Sequence, residues 1–282
     1  MRLSSLHIYP LKAARGIALG ESALEPRGLV GDRRWVAADP DGVHLTQREC
    51  AALARLVARP VPVGIHLSAD GAGEIVVRPD PAGARRRIRV WKDAVDALDA
   101  GEAAADWLSG ALGRPARLFH MDDAARRATS GRWGPQGPVS FADAYPLLVT
   151  STASLDALNE AIARGGGAPV GMERFRPNIV IDGAGPWAED RWRALRIGAA
   201  VIELVKPCAR CVVTTVDQAS GARTGREPLK TLARIRRSAH PDLPGALFGW
   251  NAILREGRAL AAGEAVEVLE AREEGWPLAG VD

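Results

Sequence analysis

Lys206 to Asp217 read KPCARCVVTTVD, and two of the chain's three cysteines stand three apart within it. β-Branched side chains suit a pleated, half-buried surface, so Cys211-Val212-Val213-Thr214-Thr215-Val216 is expected as a strand with a cysteine pair at its mouth. Three chemistries compete for such a pair. A zinc site would need a second pair or two suitably spaced histidines, whereas Cys50 is isolated and the five histidines are scattered. A dithiol redox motif would open a helix, whose N-terminus lowers a thiol pKa, yet the VVTTV run after Cys211 reads as strand. A single thiolate ligand to a softer, redox-active metal stays open, provided a cofactor supplies most of the coordination. So does the plain reading of two small buried hydrophobes.

Outward from this stretch the chain reads mostly as strands. Toward the C-terminus Ala265-Val266-Glu267-Val268-Leu269, and before the cysteines Val201-Ile202-Glu203-Leu204-Val205 and Pro177-Asn178-Ile179-Val180-Ile181, are short apolar or alternating runs. In the first hundred residues the same signal recurs at Leu6–Tyr9, Arg34–Ala37, Val63–Leu67, Glu74–Val77 and Ile88–Trp91. Asp41-Gly42 and Asp70-Gly71 between such runs are hairpin candidates, because both pairs tolerate positive φ. Three helices interrupt the strands. Ala100–Gly113 is alanine-rich and ends on glycine. A second helix begins near Ser154, with Leu155, Leu158 and Ile162 on one stripe, and stops at Gly165-Gly166-Gly167. A third starts at Pro228 and turns Leu229, Leu232 and Ala233 inward. Asp122 to Pro138, rich in Arg, Gly and Pro, reads as a long irregular loop between two halves. The expected class is α+β, mostly β with a few helices.

Bulk composition narrows function by exclusion. A chain of 282 residues buries a sufficient core without metal or disulfide. Lys plus Arg number 37 against 34 Asp plus Glu, so the net charge of +3 is too weak a bias to argue for nucleic acid. The arginine stretches Ala84–Arg87 and Arg234–Arg237 lack interleaved aromatics for base stacking. No run approaches the roughly 18 apolar residues of a membrane span, and the N-terminus lacks a secretory signal. The expectation is a cytoplasmic protein with neither nucleic-acid nor membrane partner.

Seven segments then fall in a recognisable order: IYPLKAARG (Ile8–Gly16), GDRRWVAAD (Gly31–Asp39), LTQRE (Leu45–Glu49), FRPNIVIDG (Phe175–Gly183), PWAEDRWRALRIG (Pro186–Gly198), KPCARCVVTTVDQASG (Lys206–Gly221) and LFGWN (Leu247–Asn251). Together they resemble the MOSC family of molybdenum-cofactor proteins, in the branch that holds the amidoxime-reducing components. The resemblance implies two β-rich domains, an N-terminal β-barrel over 1–95 and a MOSC β-barrel domain with a few flanking helices over 96–282. It implies that Cys211 ligates molybdenum and is catalytic, with Cys208 beside it, and that the cofactor is molybdenum-molybdopterin. By the same likeness Lys12, Arg33 and Arg176 would hold the phosphate, while Asp143, Asn178, Arg210 and Asn251 would address the pterin or its loop. Cations and planar donors suit a phosphate and a pterin edge on physical grounds as well. Ala13 departs from the family, which often has a small hydroxyl residue there. Arg48 is a candidate pocket residue, and no histidine falls in a cofactor motif.

The activity implied is reduction of small N-hydroxylated or N-oxide compounds. No cysteines remain for an iron–sulfur cluster, so the expected electron source is a separate flavin or iron–sulfur reductase. The alternative within the family is a carrier of the cofactor, or of sulfur, without turnover of its own.

Overall fold

The computed structural model describes residues 1–223 and 225–280. The fold is α+β and dominated by strands, as the alternating runs predict. Its largest layer is an eight-stranded sheet in the order Val266–Ala271, Trp192–Ile197, Ala200–Arg210, Ala246–Glu256, Leu147–Ser151, Ile179–Asp182, Arg2–Ile8, Ile17–Leu19. Only Leu147–Ser151 and Ile179–Asp182 run parallel, and the helix Thr152–Arg164 lies on the crossover between them. Parallel neighbours require such a crossover, which here spans the whole second helical signal. Ser151 caps that helix by accepting from the Ser154 amide at 3.2 Å, and Leu158 and Ile162 point inward.

Three smaller sheets make up the rest. Trp35–Ala38, Arg117–His120, Asp93–Asp99 and Arg85–Val90 form one; Val57–Val61, Gly64–Ala69 and Gly73–Val77 a second; Ala259–Ala261, Glu21–Glu25 and Gly28–Leu29 a third. The hairpin expected at Asp70-Gly71 joins Gly64–Ala69 to Gly73–Val77, with Gly71 at φ +79°. The other helices are Glu102–Leu112, closed by Gly113 in the left-handed region, and Leu229–Ile235 after Pro228. Among the described residues no helix is long and apolar enough to cross a membrane.

Two expectations need correction. The division after residue 95 falls inside the strand Asp93–Asp99, and the helix Glu102–Leu112 buries Ala104 and Leu108 against Leu11, Trp35 and Leu53. Residues 96–120 therefore pack with the first unit, while Arg2–Ile8 extends the large sheet of the second. Nor is Cys211–Val216 a strand. The strand Ala200–Arg210 ends just before it, and Val212–Thr215 is a 3₁₀ turn. The Thr214 and Thr215 hydroxyls donate to the carbonyls of Cys211 and Val212 at 2.9 and 2.7 Å, local bonds that override β propensity.

Four apolar clusters converge on one region. Leu11 and Trp35 belong to the first unit's core, Phe141 to a second cluster, Phe175 and Phe248 to a third, and Trp250 to the core under the large sheet. Four of these anchors, Leu11, Phe141, Phe175 and Trp250, each worth roughly 1.5–3 kcal/mol when fully buried, immediately precede a polar residue or stand two before it: Lys12, Asp143, Arg176, Asn251. Burying the anchor fixes where its neighbour can point.

The strand that carries Asn251 also lies unusually close to its neighbour in the sheet, Leu147–Ser151. Gly249 sits at φ +71°, and a Cβ there would lie 2.7 Å from Thr150 Cγ2 and 2.8 Å from the Val149 carbonyl oxygen. Gly249→Ala is expected to cost about 1–3 kcal/mol, lowering the thermal midpoint by several degrees in calorimetry; an unchanged midpoint would show that the strand can move aside.

Candidate functional site

All eight residues singled out from the sequence, Lys12, Arg33, Asp143, Arg176, Asn178, Arg210, Cys211 and Asn251, line a single cleft, together with Arg48 and Cys208. The cleft encloses about 900 Å³ of space, open solvent included. Its walls come from both parts of the chain, so it exists only when they are packed together.

Charge is the cleft's defining property. Lys12 Nζ lies 2.5 Å from Asp143 Oδ1 and donates to the Phe141 carbonyl at 2.8 Å; Arg33 Nη1 lies 2.5 Å from Asp32 Oδ2. Arg176, Arg210 and Arg48 have no carboxylate partner among the described residues. Arg176 donates only to uncharged acceptors, the Ala14 carbonyl at 2.6 Å and Gln218 Oε1 at 3.4 Å, and Arg210 likewise to the Phe175 carbonyl at 2.7 Å and Cys208 Sγ at 2.9 Å. Arg176 Nη2, Arg210 Nε and Tyr145 Oη are buried without partners. Leaving such donors unpaired costs on the order of 1–3 kcal/mol each, more for charged groups, so the cleft is built for an anionic, acceptor-rich ligand.

Aromatic rings hold these cations in place. The Arg33 and Arg176 guanidiniums stack on Tyr9 at 4.5 and 4.2 Å, Arg210 sits 5.5 Å from the Phe175 ring, and Arg48 lies 4.8 Å from Trp91. Burial lowers the Arg176 pKa to about 10, which still leaves it charged at neutral pH. Burial raises the Tyr9 phenol to about 12, so it stays protonated and donates to the Pro177 carbonyl at 3.1 Å. Burial alone would raise the Asp143 pKa, but the Lys12 ammonium outweighs it and holds the carboxyl well below the usual range. That carboxyl is open to the cleft yet ringed by protein, with the Trp91 indole N–H donating to it at 3.2 Å.

Backbone strain concentrates here too. Ala13, Arg33, Trp91 and Arg176 adopt left-handed φ of 67°, 50°, 57° and 56°, and all four line the cleft; Trp187 is the one other described non-glycine residue in that region. Such conformations cost on the order of 1 kcal/mol or more apiece and persist where surrounding structure imposes them, commonly at functional sites.

Two expected roles shift in emphasis. Asn178 is fully engaged within the protein: its carbonyl accepts from the Leu148 amide and Arg33, and its amide donates to the His7 carbonyl. It braces Arg33. Asn251 donates through Nδ2 to the carbonyls of Lys206 and Pro207, which leaves its Oδ1 as an acceptor toward the cleft. The cysteines differ likewise. Cys208 Sγ is held by Arg210, whereas Cys211 Sγ has no hydrogen bond among the described residues. No group of three or more His, Cys, Asp and Glu side chains that could hold a metal ion occurs among the described residues. A metal at Cys211 would therefore draw its remaining ligands from a cofactor.

Sequence reasoning missed Tyr9, Trp91, Gln47 and Gln218. Gln47 and Gln218 exchange reciprocal amide bonds at 3.0 and 2.9 Å and tie the LTQRE stretch to the loop after Cys211. Tyr9, Gln47 and Gln218 lie inside the quoted motifs. Trp91 lies in none, and its signal is conformational.

Known proteins divide along the same line. The family model described as MOSC domain matches residues 136–267, and that described as MOSC N-terminal beta barrel domain matches residues 1–115. Mitochondrial amidoxime-reducing component 1 of Homo sapiens is 30% identical over 95% of this chain and 82% of its own length; that of Mus musculus is 31% identical with the same coverage. The molybdenum cofactor sulfurase of Oryza sativa subsp. japonica is 30% identical over 95% of this chain but 35% of its own.

The anion site and a buried histidine each predict a measurable outcome. Inorganic phosphate at tenfold its dissociation constant should stabilise the cofactor-free protein by about 1.4 kcal/mol, read as a rise in thermal midpoint that Arg176→Met abolishes; an equal rise in the variant would refute the anion site. His44, buried against Trp91 with Nε2 unpartnered, is held near pKa 4, first by burial and then by Lys12. Below pH 6.5 the unfolded chain takes a proton that the folded ring refuses, so stability falls as pH drops toward 4. His44→Gln should reduce the difference in urea midpoint between pH 7 and pH 5, and an unaltered difference would show that His44 contributes nothing to it.

Proposed function

We propose that this chain, which belongs to the MOSC family, is a molybdenum-cofactor-dependent reductase of N-hydroxylated or N-oxide compounds that receives electrons from a separate protein. The observation that carries this reading is an unengaged cysteine sulfur in a cleft where the Arg176, Arg210 and Arg48 guanidiniums lack acidic partners. The relatives named as amidoxime-reducing components support the reaction class, and those named as molybdenum cofactor sulfurases support the cofactor.

The orphaned donors fit that cofactor. Arg176 and Arg210, with Lys12 and Arg33 beside them, would take its phosphate; Asn251 Oδ1, Tyr145 Oη and Arg210 Nε would meet the donors and acceptors of the pterin; Cys211 would supply the thiolate. When bound, the cofactor would provide two-electron redox chemistry at the metal.

The chain's own residues do the rest. Arg176 and Arg33, fixed by Tyr9, arrive preorganised, so little reorganisation is needed when an anion binds. Arg210 orients the Cys208–Cys211 segment by holding the Phe175 carbonyl and Cys208 Sγ together. Arg48 and Trp91 shape the open side, where a small substrate would sit. In the overall reaction the N–O bond breaks and the oxygen leaves as water, with two electrons from the donor and two protons from solvent; an N-hydroxylated substrate returns to its N–H form and an N-oxide to the free amine.

A second reading has a specific observation behind it. The sulfurase relative covers nearly all of this chain, so a cofactor or sulfur carrier without turnover is the rival. Metal analysis and an assay separate them. Freshly purified protein should hold molybdenum near one per chain and reduce benzamidoxime with a chemical electron donor. Cys211→Ser should lose at least a hundredfold in rate, and Cys208→Ser less than tenfold, by analogy with loss of a metal ligand against loss of a neighbour. Bound molybdenum without turnover would favour the carrier; absence of bound molybdenum after expression with the cofactor would sink both.

A further inference from the structure

From Arg48 at the open side of the cleft a cluster of cations continues outward that the proposed chemistry does not use, Arg15, Arg55 and Arg223. Arg15, Arg48, Arg55 and Arg223 are exposed, and none has a carboxylate partner among the described residues. They form one continuous rim. Arg223 donates to the Arg48 carbonyl at 2.5 Å, and Arg15 to the Ala219 carbonyl at 3.4 Å. Ala219 adjoins Gln218, which pairs with Gln47 next to Arg48. Arg55 closes the arc against Gly221, where a Cβ would meet its Cγ at 3.4 Å.

Of the acids nearby, Glu173 is exposed in the recess that Arg15 also lines, while Glu49 and Asp217 are engaged by local hydrogen bonds. Glu49 accepts from the Thr46 amide and hydroxyl, both at 2.6 Å. Asp217 accepts from Arg174 at 3.1 Å and from the Ser220 amide and hydroxyl at 2.8 Å. The densest basic stretch of the chain is neutralised by contrast: Arg85, Arg86 and Arg87 pair with Asp122, Asp99 and Asp96. A rim of four arginines without carboxylate partners thus gathers around the loop after Cys211, at the side of the cleft where Arg48 opens to solvent.

We propose that this rim is the docking surface for the acidic face of the electron-donor protein, so that electrons enter at the mouth of the cleft. The inference rests on the reductase reading, which requires a donor to come close to Cys211 and to leave again. Complementary charge serves both needs. It raises encounter rates by roughly ten- to a thousandfold and is screened by salt, so association is fast without being tight. A small-molecule counter-ion would be matched by one guanidinium; four spread along an arc fit a protein surface.

The test uses cofactor-loaded protein with reduced flavodoxin, a small acidic redox protein, as donor probe and benzamidoxime as acceptor. The triple variant Arg15→Glu/Arg55→Glu/Arg223→Glu should raise the apparent KM for flavodoxin at least tenfold and flatten its salt dependence. Turnover with reduced methyl viologen should be unchanged in that variant, and Arg258→Glu, at an exposed arginine outside the rim, should behave as the parent with both donors. Equal flavodoxin KM and salt slope in triple variant and parent would overturn the proposal, as would failure of the parent to bind flavodoxin at low salt. If neither donor drives turnover, the reductase reading fails by itself, and the anisotropy of labelled flavodoxin still decides the rim: binding lost in the triple variant supports it, equal binding refutes it. Binding of a random-sequence RNA oligonucleotide in place of flavodoxin would reassign the surface and also refute it.

Discussion

The site depends on placing the guanidiniums of Arg176 and Arg210 where no carboxylate meets them. Arg176 illustrates how the fold manages this: Phe175, stacked on Phe248 at 3.8 Å, anchors the preceding 3₁₀ turn in the core, a left-handed backbone swings Arg176 out of it, and the Tyr9 ring receives its guanidinium. Arg33 reaches the same ring from a second left-handed residue. Repulsion between the two is eased by Asp32 on one side only, which leaves a net positive recess in a poorly solvated place. A protein would not hold such an arrangement for stability, since unpaired buried charge is costly. A ligand anion would supply what the fold withholds.

Much of this is legible in the sequence, for identifiable reasons. Strands such as Ile179–Asp182 and Ala200–Arg210 announce themselves because their apolar runs are bounded by turn residues. The helix Thr152–Arg164 does so through its stripe and its terminal glycines. The cofactor motifs can be quoted residue by residue because each polar group is welded in sequence to its core anchor, Lys12 to Leu11 and Asn251 to Trp250. Their meeting in one cleft is implied by resemblance and is borne by the packing of the apolar clusters around it.

The features hidden from the sequence depend on long-range or local hydrogen bonding that composition does not reveal. VVTT looks like strand until two threonine hydroxyls turn back to the carbonyls before them. A boundary after residue 95 looks natural until Asp93–Asp99 pairs with both Arg85–Val90 and Arg117–His120. Trp91 has no motif around it, and only its left-handed φ and its contacts with Arg48 and Asp143 reveal a place in the site. The motif around Asn178 points to the ligand, but its amide proves to be committed to Leu148, Arg33 and His7, so it acts through the residue it braces.

The central claim is that the Cys211 sulfur, and not that of Cys208, bonds a metal brought into this cleft by its cofactor. X-ray absorption at the molybdenum edge addresses that bond most directly. Protein loaded with cofactor should show one sulfur neighbour fewer in Cys211→Ser than in the parent, and no change in Cys208→Ser. A sulfur count that is unchanged in Cys211→Ser, or that falls instead in Cys208→Ser, would contradict the account.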